Sequence, residues 1–336
     1  MTIKIAINGF GRIGRELTRI ITSRPETDIE LVAVNSREDI SLAAHLLRHD
    51  SNHGGFGPPV TATGDRLLIG GQQMLFLSQP DPARLPWREL GVELVIESSG
   101  QFVGRLQAGR HLEAGSRRVL ITAAAPDPDV TLCLGVNQAR YQPEHHRIVS
   151  ASSCTTNCVA PVAKLLHDRF RLQALLVTFL HSYTSGQPLL DTGGPDLRLM
   201  RAAGLNLIPA STSAAQQVPM ILPELTGRFH ALSVRVPTPE AHLASLSAFI
   251  SRPVEASEVL AAFREAAAGE MAGIVAVSEA PLASCDLRGA SASSILDPES
   301  VKVVAAELIQ LLVWHDNESS YCQRVVDLVR YMAAHS

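Results

Sequence analysis

The chain is poor in cysteine, and it contains neither a long apolar run nor a basic segment. Its five cysteines among 336 residues are scattered and odd in number, which argues against a disulfide framework and indicates reduced thiols. No apolar run approaches the about 20 residues that a membrane helix needs. The 29 basic and 33 acidic residues give a net charge of −4, which argues against nucleic acid or a membrane surface as a partner. Because the first residues show no signal-peptide pattern, we expect a cytoplasmic protein.

A glycine-rich motif stands near the start of the chain. Residues Gly9–Gly14 have the pattern G-x-G-x-x-G; they follow a β-rich run at 4–8 and precede a helical pattern that ends near residue 23. In that context the glycines let the backbone turn tightly and approach a pyrophosphate at the N-terminus of the helix. The motif therefore predicts a dinucleotide site formed by Gly9, Phe10, Gly11, Arg12, Ile13 and Gly14.

The order of predicted elements indicates two kinds of domain. Strand-like and helix-like segments alternate through about residue 150, which is typical of an α/β domain with a doubly wound parallel sheet. Longer strand-like runs follow, and they indicate an α+β domain with a mixed sheet. There we expect a late helix over about residues 298–312 and a final helix over 321–334. Between Tyr183 and Pro209 the chain has no clear periodicity, and so long a loop is usually functional.

The end of the second predicted strand, Ile29–Asn35, bears on the choice of cofactor. NAD enzymes normally place an acidic residue there for the ribose 2′-hydroxyl, whereas this chain has Ser36 followed by Arg37. A hydroxyl and a guanidinium accommodate a 2′-phosphate that a carboxylate would repel. The sequence thus favours acceptance of NADP over strict use of NAD. The alternative is that Glu38 or Asp39 supplies the acidic group.

Cys154 lies where a strand-like run, Arg147–Val149, passes into a helix-like segment, Val159–Phe170. Backbone N–H groups and the positive end of a helix dipole stabilise a thiolate at such a position, which makes Cys154 a candidate nucleophile. His181, at the end of another strand-like run, is the candidate base. Cys158 follows Cys154 by four residues, but no further Cys or His has ligand spacing, so we expect no metal site.

Five segments identify a family by their order and spacing. They are Ile7–Arg15 (INGFGRIGR), Ser153–Cys158 (SCTTNC), His181–Thr184 (HSYT), Val234–Pro239 (VRVPTP) and Val325–Ala333 (VVDLVRYMA). Through them the chain resembles the phosphorylating glyceraldehyde-3-phosphate dehydrogenases over essentially its whole length. The resemblance implies a Rossmann dinucleotide-binding domain over residues 1–152, a catalytic domain over 153–316 and a C-terminal helix, 317–336, that returns to the first domain. It also implies a homotetramer.

The resemblance further implies a mechanism and the residues that perform it. Cys154 attacks glyceraldehyde 3-phosphate to form a thiohemiacetal, and His181 removes the proton as hydride passes to NADP or NAD. Inorganic phosphate then cleaves the thioester to 1,3-bisphosphoglycerate. The residues implied for the two phosphates are Ser153, Thr155, Thr184, Arg201, Thr212, Ser213 and Arg235. The residues implied for the cofactor, besides the glycine-rich motif, are Ser36, Arg37, Ser99, Thr122, Asn317 and Tyr321.

Several positions depart from the family pattern. Ser36 stands where an aspartate is usual, and Thr192-Gly193 stand where a Leu-Pro pair of the family crowds a 2′-phosphate on a neighbouring subunit. Both changes favour NADP. Ser213 and Gln216 replace a glycine and a lysine, and Ser319-Ser320 replace Trp-Gly. These changes bear on the binding of substrate and phosphate.

Two other functions stay open. Leu85–Val92 and Pro195–Ala203 resemble erythrose-4-phosphate dehydrogenase, which applies the same thiol chemistry to a longer sugar, whereas Tyr183-Thr184 are typical of the triose enzyme. The other alternative is a nucleotide-binding regulator or scaffold without activity. Retention of both Cys154 and His181 argues against it.

Overall fold

The computed structural model describes residues 2–23 and 28–336. Contacts divide them into two compact units. Residues up to 132, 138–152 and 322–336 form the first, and residues 133–137 and 153–321 form the second. Among the described residues, no helix has both the length and the apolar character that crossing a bilayer requires.

The first unit is built on a nine-stranded sheet. The strands of this unit are β1 (Ile3–Asn8), β2 (Ile29–Asn35), β3 (His49–Asp50), β4 (Gly54–Gly55), β5 (Val60–Thr63), β6 (Arg66–Ile69), β7 (Gln72–Leu77), β8 (Leu94–Glu97), β9 (Arg118–Ile121), β10 (Val130–Thr131) and β11 (Ile148–Ser150), of which β3 and β4 form a separate ladder. Its helices include α1 (Arg12–Thr22), α2 (Ile40–Arg48) and α3 (Arg105–Glu113).

The sheet of the first unit follows the order β10-β11-β9-β8-β1-β2-β7-β6-β5. All neighbouring pairs from β10 to β7 are parallel, while β6 and β5 join as antiparallel strands at one edge. β8 is buried at every position, as a central parallel strand covered on both faces requires. The parallel sheet predicted from the sequence is confirmed, and the pairing of Asn8 with Asn35 sets the carboxyl ends of β1 and β2 side by side.

The second unit is built on a seven-stranded mixed sheet with the order β13-β14-β12-β15-β18-β17-β16. Its strands are β12 (Leu172–Ser182), β13 (Ile208–Ala210), β14 (Phe229–Val236), β15 (His242–Ile250), β16 (Val275–Val277), β17 (Ser294–Val304) and β18 (Leu308–His315). Its helices are α4 (Cys154–Phe170), α5 (Ala214–Ile221) and α6 (Ala256–Ala268), and α7 (Ser319–Ala334) begins here and continues in the first unit. The predicted mixed sheet is confirmed.

The prediction of a late helix over about residues 298–312 is wrong, because that segment forms the hairpin of β17 and β18. Ala305 and Ala306 form its turn with φ values of 50° and 61°. β18 also pairs along its whole length with β15, from His242–His315 to Phe249–Leu308. Pairing on both sides satisfies the backbone hydrogen bonds of β18, and this tertiary context overrides the local preference for helix.

Helix α4 runs through the apolar core of the second unit. Val159, Val162 and Leu166 are fully buried among residues of β12, β15 and α6. Burial of one face along the length of α4 fixes the position of its first turn. That first turn carries Cys154.

Candidate active site

Cys154 is the first residue of α4, and the residue before it caps the helix. Oγ of Ser153 accepts a hydrogen bond from the backbone N–H of Thr156 at 3.3 Å. Cys154 is half-buried, whereas Cys158 one turn later is fully buried among core residues. The structure therefore places the predicted nucleophile at a capped helix N-terminus with access to solvent.

His181 approaches Cys154 from β12. A ring nitrogen of His181, Sγ of Cys154 and a ring nitrogen of His242 all lie within 4.8 Å of one another. Nδ1 of His181 lies 2.6 Å from the carbonyl oxygen of Ser182. Nη1 of Arg235 also contacts Nδ1; with Nδ1 assigned as the N–H donor to the Ser182 carbonyl, Nε2 is the proton-accepting nitrogen. The predicted nucleophile and base thus meet at one point of the second unit.

The protonation of this pair is governed by burial. Burial raises the pKa of the Cys154 thiol to about 11, although the backbone N–H of Thr155 and the charge of Arg235 act in the opposite direction. Burial, together with Arg235, lowers the pKa of His181 to about 4. At neutral pH the site therefore holds a thiol beside a neutral imidazole. The groups at the helix start favour the thiolate as expected, but burial has the larger effect and keeps Cys154 as the thiol.

Arg235 is the cation of the site. It pairs with His181 in the parallel register of β12 and β14, and its Nη1 lies 3.0 Å from Nε2 of His181. The same nitrogen donates to the carbonyl oxygen of Ser182 at 3.3 Å. A guanidinium beside a nucleophile is well suited to bind a phosphate.

Three of the hydroxyls implied for phosphate binding lie together. Oγ of Ser153 is 3.1 Å from Oγ1 of Thr155, which is 3.5 Å from Oγ1 of Thr212. Thr212 also accepts a hydrogen bond from the backbone N–H of Ala214, the first residue of α5, at 3.3 Å. Ser213 precedes α5 without capping it through its side chain. The cluster gathers short polar groups from the starts of two helices, which suits a dianion.

Two other residues implied for substrate binding lie on the segment that follows β12. Thr184 turns the chain through a hydrogen bond from the backbone N–H of Gln187 to its carbonyl oxygen at 2.9 Å. Arg201 pairs with the exposed Asp191 at 2.7 Å. Neither contact brings these side chains to the hydroxyl cluster, so their roles stay predictions.

Sequence reasoning missed two histidines behind the pair. His242 begins β15 and packs against His181 in a tilted arrangement with ring centroids 3.7 Å apart. His315, at the end of β18, meets His242 edge to face at 4.8 Å. Both are fully buried. A histidine at a buried position of an alternating strand was the available signal, but the chain has 12 histidines and nothing local separates these two.

In the first unit, a cleft of about 250 Å³ lies at the carboxyl ends of β1 and β2. Six of the residues predicted for the cofactor line it, namely Gly9, Phe10, Gly11, Ser36, Arg37 and Ser99. It is also lined by residues that the sequence reasoning did not single out, among them Asn8, Asn35 and Gln79. A cleft at the carboxyl ends of parallel strands is where this kind of sheet binds ligands.

The glycines of the motif fit a bound dinucleotide. Gly9 has a φ of +100°, and a Cβ there would lie 2.4 Å from the backbone nitrogen of Ser99. A Cβ on Gly14 would lie 2.1 Å from the carbonyl oxygen of Gly9. At Gly11, by contrast, a Cβ would meet no protein atom within 4 Å. Gly9 and Gly14 are thus required by the turn, whereas Gly11 borders open space, as the motif requires for a pyrophosphate.

The remaining residues implied for the cofactor have other surroundings. Arg12 pairs with Asp50 at 2.8 Å, and Ile13 lies beside it in the first turn of α1. Oγ1 of Thr122 donates to the carbonyl oxygen of Glu97 at 3.1 Å. In the second unit, Asn317 accepts the backbone N–H of Ala241 at 3.1 Å, and Tyr321 is buried. The cofactor roles of these five residues stay predictions.

A buried polar network lies under the cleft and was also missed. Asn35 donates to Asn8 at 2.7 Å, Asn8 donates to Glu97 at 2.5 Å, and Glu97 lies 3.0 Å from Nε2 of His111. Trp87 is the last member of this network, and its indole N–H donates to Nδ1 of His111 at 3.0 Å. These hydrogen bonds fix the ends of β1, β2 and β8, and with them the walls of the cleft.

Comparison with known proteins assigns both units. The NAD-binding domain of glyceraldehyde 3-phosphate dehydrogenase matches residues 3–105, and the C-terminal domain of the same enzyme matches residues 153–317. Glyceraldehyde-3-phosphate dehydrogenase of Geobacillus stearothermophilus is 44% identical over 334 residues, 99% of each chain. Glyceraldehyde-3-phosphate dehydrogenase 1 of Bacillus subtilis (strain 168) is 44% identical over 333 residues, also 99% of each chain. The chloroplastic enzyme A of Chlamydomonas reinhardtii is 42% identical over 333 residues, 98% of this chain and 89% of its own.

The dinucleotide-binding sheet and these matches first define a class, the oxidoreductases that work with a nicotinamide dinucleotide. Within that class, the chain belongs to the glyceraldehyde-3-phosphate dehydrogenase family. The resemblance read from the sequence motifs is confirmed.

Proposed function

We propose that the chain oxidises glyceraldehyde 3-phosphate in a phosphorylating reaction, through an intermediate bound covalently to Cys154. The observation that carries this proposal is the meeting of Cys154 Sγ and a ring nitrogen of His181 within 4.8 Å, at a half-buried helix start. The substrate class is supported by relatives that carry the name of this enzyme and cover 99% of the chain.

The first step forms the carbon–sulfur bond. Sγ of Cys154 gives its proton to Nε2 of His181 and attacks the aldehyde carbon, which yields a thiohemiacetal. The oxygen that becomes negative is stabilised by the backbone N–H of Cys154 and by the protonated imidazole, which returns a proton to it. Burial and Arg235 keep His181 neutral, so its lone pair is available, but they also weaken it as a base, so the proton moves as the carbon–sulfur bond forms.

Oxidation and release follow on the same two residues. A bound nicotinamide supplies the hydride acceptor, while His181 takes the hydroxyl proton of the thiohemiacetal as its carbon becomes the thioester carbonyl. Inorganic phosphate then attacks that carbonyl, the carbon–sulfur bond breaks, and the acyl phosphate leaves with Cys154 as thiolate. Arg235 and the hydroxyls of Ser153, Thr155 and Thr212 are the groups that we assign to the two phosphates.

An absorbance assay for the reduced nicotinamide tests the proposal. Purified protein receives glyceraldehyde 3-phosphate and either NAD or NADP, with and without inorganic phosphate. We expect turnover that needs phosphate and that falls about 10³-fold or more in Cys154→Ser, while Cys158→Ser keeps it. A parallel arm with erythrose 4-phosphate decides between the two sugars. Bound nucleotide without turnover on either sugar would instead identify a regulator or scaffold.

For the cofactor we propose that NADP is accepted beside NAD. Ser36 and Arg37 line the cleft at the end of β2. Asp39 is engaged as the N-cap of α2, where it accepts from the backbone N–H of Ser41 at 2.8 Å. Of the two acidic alternatives, Glu38 is the one that lines the cleft. A guanidinium and a hydroxyl at this edge support binding of a 2′-phosphate.

We also propose assembly into a homotetramer in the cytoplasm. The segment between β12 and β13 exposes five leucines by 70–87% of their surface: Leu189, Leu190, Leu197, Leu205 and Leu207. Exposed apolar residues that cluster in one segment are typical of an interface between chains. All five cysteines are free thiols, which suits a reducing compartment. Light scattering on the purified protein tests the assembly, with a mass of four chains as the expected result.

A further inference from the structure

A group of three metal-ligating side chains lies at the candidate active site. Sγ of Cys154, a ring nitrogen of His181 and a ring nitrogen of His242 all lie within 4.8 Å of one another. They come from three different elements, α4, β12 and β15. Ligands of a tetrahedral zinc ion are about 3.3–3.8 Å apart. Small side-chain rotations therefore suffice to bring these three atoms around one ion.

Of these three residues, only His242 has no role in the proposed reaction. It is fully buried, and among the described residues neither of its ring nitrogens has a hydrogen-bond partner. Buried polar atoms without a partner are uncommon in folded proteins and call for an explanation such as a ligand or an ion. The ring of His242 also packs against that of His181, with centroids 3.7 Å apart and planes tilted by 41°, and one of its nitrogens lies within 4.8 Å of the thiol sulfur.

His181 is arranged as metal-bound histidines usually are. A histidine that ligates a metal typically donates its other ring N–H to a backbone carbonyl or a carboxylate. Nδ1 of His181 lies 2.6 Å from the carbonyl oxygen of Ser182, so Nε2 is the nitrogen available to an ion. The thiol of Cys154 is a soft ligand, and thiolate with imidazole selects zinc over magnesium or calcium.

We propose that Cys154, His181 and His242 form a binding site for Zn²⁺ and similar thiophilic divalent cations, with water as the fourth ligand. On binding, Cys154 loses its thiol proton to solvent, and the two neutral imidazoles bind through nitrogen lone pairs. The ion occupies the sulfur and the nitrogen that the proposed reaction needs, so it inhibits the enzyme. The inhibition rests on the function proposed above, whereas the binding does not.

Arg235 opposes the ion. Its Nη1 lies 3.0 Å from Nε2 of His181, where it both competes for that nitrogen and repels a cation. The guanidinium must move away before the metal enters. The affinity of the site for the ion therefore depends on attraction by the three ligands and repulsion by the guanidinium. Removal of the Arg235 charge should raise that affinity.

Cobalt(II) is the probe that tests the site without any activity measurement. Untagged wild-type protein is titrated with Co²⁺ under anaerobic conditions, and the thiolate-to-cobalt charge-transfer band is followed in the near ultraviolet. We expect one equivalent per chain. Cys154→Ser should abolish the band, and Cys285→Ser, which removes an exposed thiol outside the site, should leave it unchanged.

The variants at His242 and its neighbours decide the ligand set. His242→Leu and His242→Asn should weaken cobalt binding by at least about tenfold, given that loss of even an outer partner of a metal site has that effect. His315→Phe, which changes a buried imidazole outside the group of three, should bind as wild type does. Arg235→Leu should bind more tightly than wild type, and this gain cannot come from misfolding.

Some results would overturn the site. A wild type without the charge-transfer band, a band that survives in Cys154→Ser, or His242 variants that bind as wild type would each do so. Arg235→Leu that binds no more tightly would place the ion elsewhere. Inhibition is measured separately, as Zn²⁺-dependent loss of turnover that a chelator reverses. A metal that binds to an inactive protein would refute the proposed function and leave the site intact.

Discussion

Arg235 faces His181 across the parallel strands β12 and β14, with its Nη1 3.0 Å from Nε2 of the imidazole. A fixed cation this close opposes protonation of the ring, and burial acts in the same direction. The imidazole of His181 is therefore neutral at physiological pH. The charge of Arg235 also acts on Cys154, where it lowers the pKa of the thiol against the larger effect of burial.

Loss of the Arg235 charge should weaken binding of the substrate more than it lowers the stability of the fold. We expect Arg235→Leu to lower kcat/KM for the sugar phosphate by about 10- to 100-fold, because a charged hydrogen bond contributes about 1.5–3 kcal/mol. Arg235→Lys should recover part of the loss, since it keeps the charge but not the planar fork. Steady-state kinetics over a range of substrate concentrations measures both variants. An unchanged KM in the leucine variant would contradict a role in phosphate binding.

The buried histidines should make the fold sensitive to acid. Burial lowers the pKa of His181 to about 4 and that of His315 to about 3, and it holds the pKa of His242 well below its usual value. In the unfolded chain these groups take up protons near pH 6.5, so the unfolded state binds more protons over the window from about 6.5 down to about 3. Stability therefore falls as pH falls through that window, by up to about 1.4 kcal/mol per pH unit for each histidine.

Urea unfolding at pH 7 and at pH 5 measures this dependence. His315→Phe removes one of the three buried imidazoles and keeps a ring of similar size. It should show a smaller loss of stability between the two pH values than wild type. His335→Phe, at an exposed histidine, is the matched control and should leave the difference unchanged. An equal loss in wild type and His315→Phe would show that His315 does not contribute.

Two glycines of the same motif should respond in opposite ways to alanine. Gly9→Ala should destabilise the first unit by about 1–3 kcal/mol, because its φ of +100° and the 2.4 Å approach to the backbone nitrogen of Ser99 leave no room for a methyl group. Gly11→Ala should change the free energy of unfolding by no more than about 0.5 kcal/mol, since its Cβ meets no protein atom within 4 Å. It should nevertheless weaken binding of the dinucleotide, because the added methyl group enters the space proposed for the pyrophosphate. Thermal unfolding and cofactor titration separate the two effects. Equal cofactor affinity in Gly11→Ala and wild type would place the pyrophosphate elsewhere.

Ser36 is the residue at which the cofactor preference should change. We expect Ser36→Asp to lower kcat/KM for NADP by about tenfold or more through repulsion of the 2′-phosphate, with little loss for NAD. The ratio of kcat/KM for the two cofactors is the measurement. Glu38→Gln is the companion variant, and it should shift the ratio toward NADP if this carboxylate reaches the ribose. A ratio that Ser36→Asp leaves unchanged would exclude Ser36 as the selector.

Local patterns in the sequence were sufficient to predict those helices, strands and turns whose conformation depends mainly on residues nearby in sequence. The turn from β1 into α1 follows from Gly9 and Gly14, because their Cβ-free backbones permit the close approach that the motif needs. The strand Ile29–Asn35 was predicted with the bounds that the structure has. The hairpin of β17 and β18 was not, because its stability comes from pairing with β15, a strand more than 40 residues away in sequence.

For the site, the sequence by itself determined the chemical types: a thiol before a helix, a histidine at a strand end, a glycine-rich turn, and through its motifs the family. Only the tertiary structure decided what surrounds them. Burial, which raises the pKa of Cys154 and lowers that of His181, is a property of the packed second unit and cannot be read from either residue's neighbours in the chain. The contacts among the rings of His181, His242 and His315 have the same origin, since adjacent strands bring together residues that lie far apart in sequence.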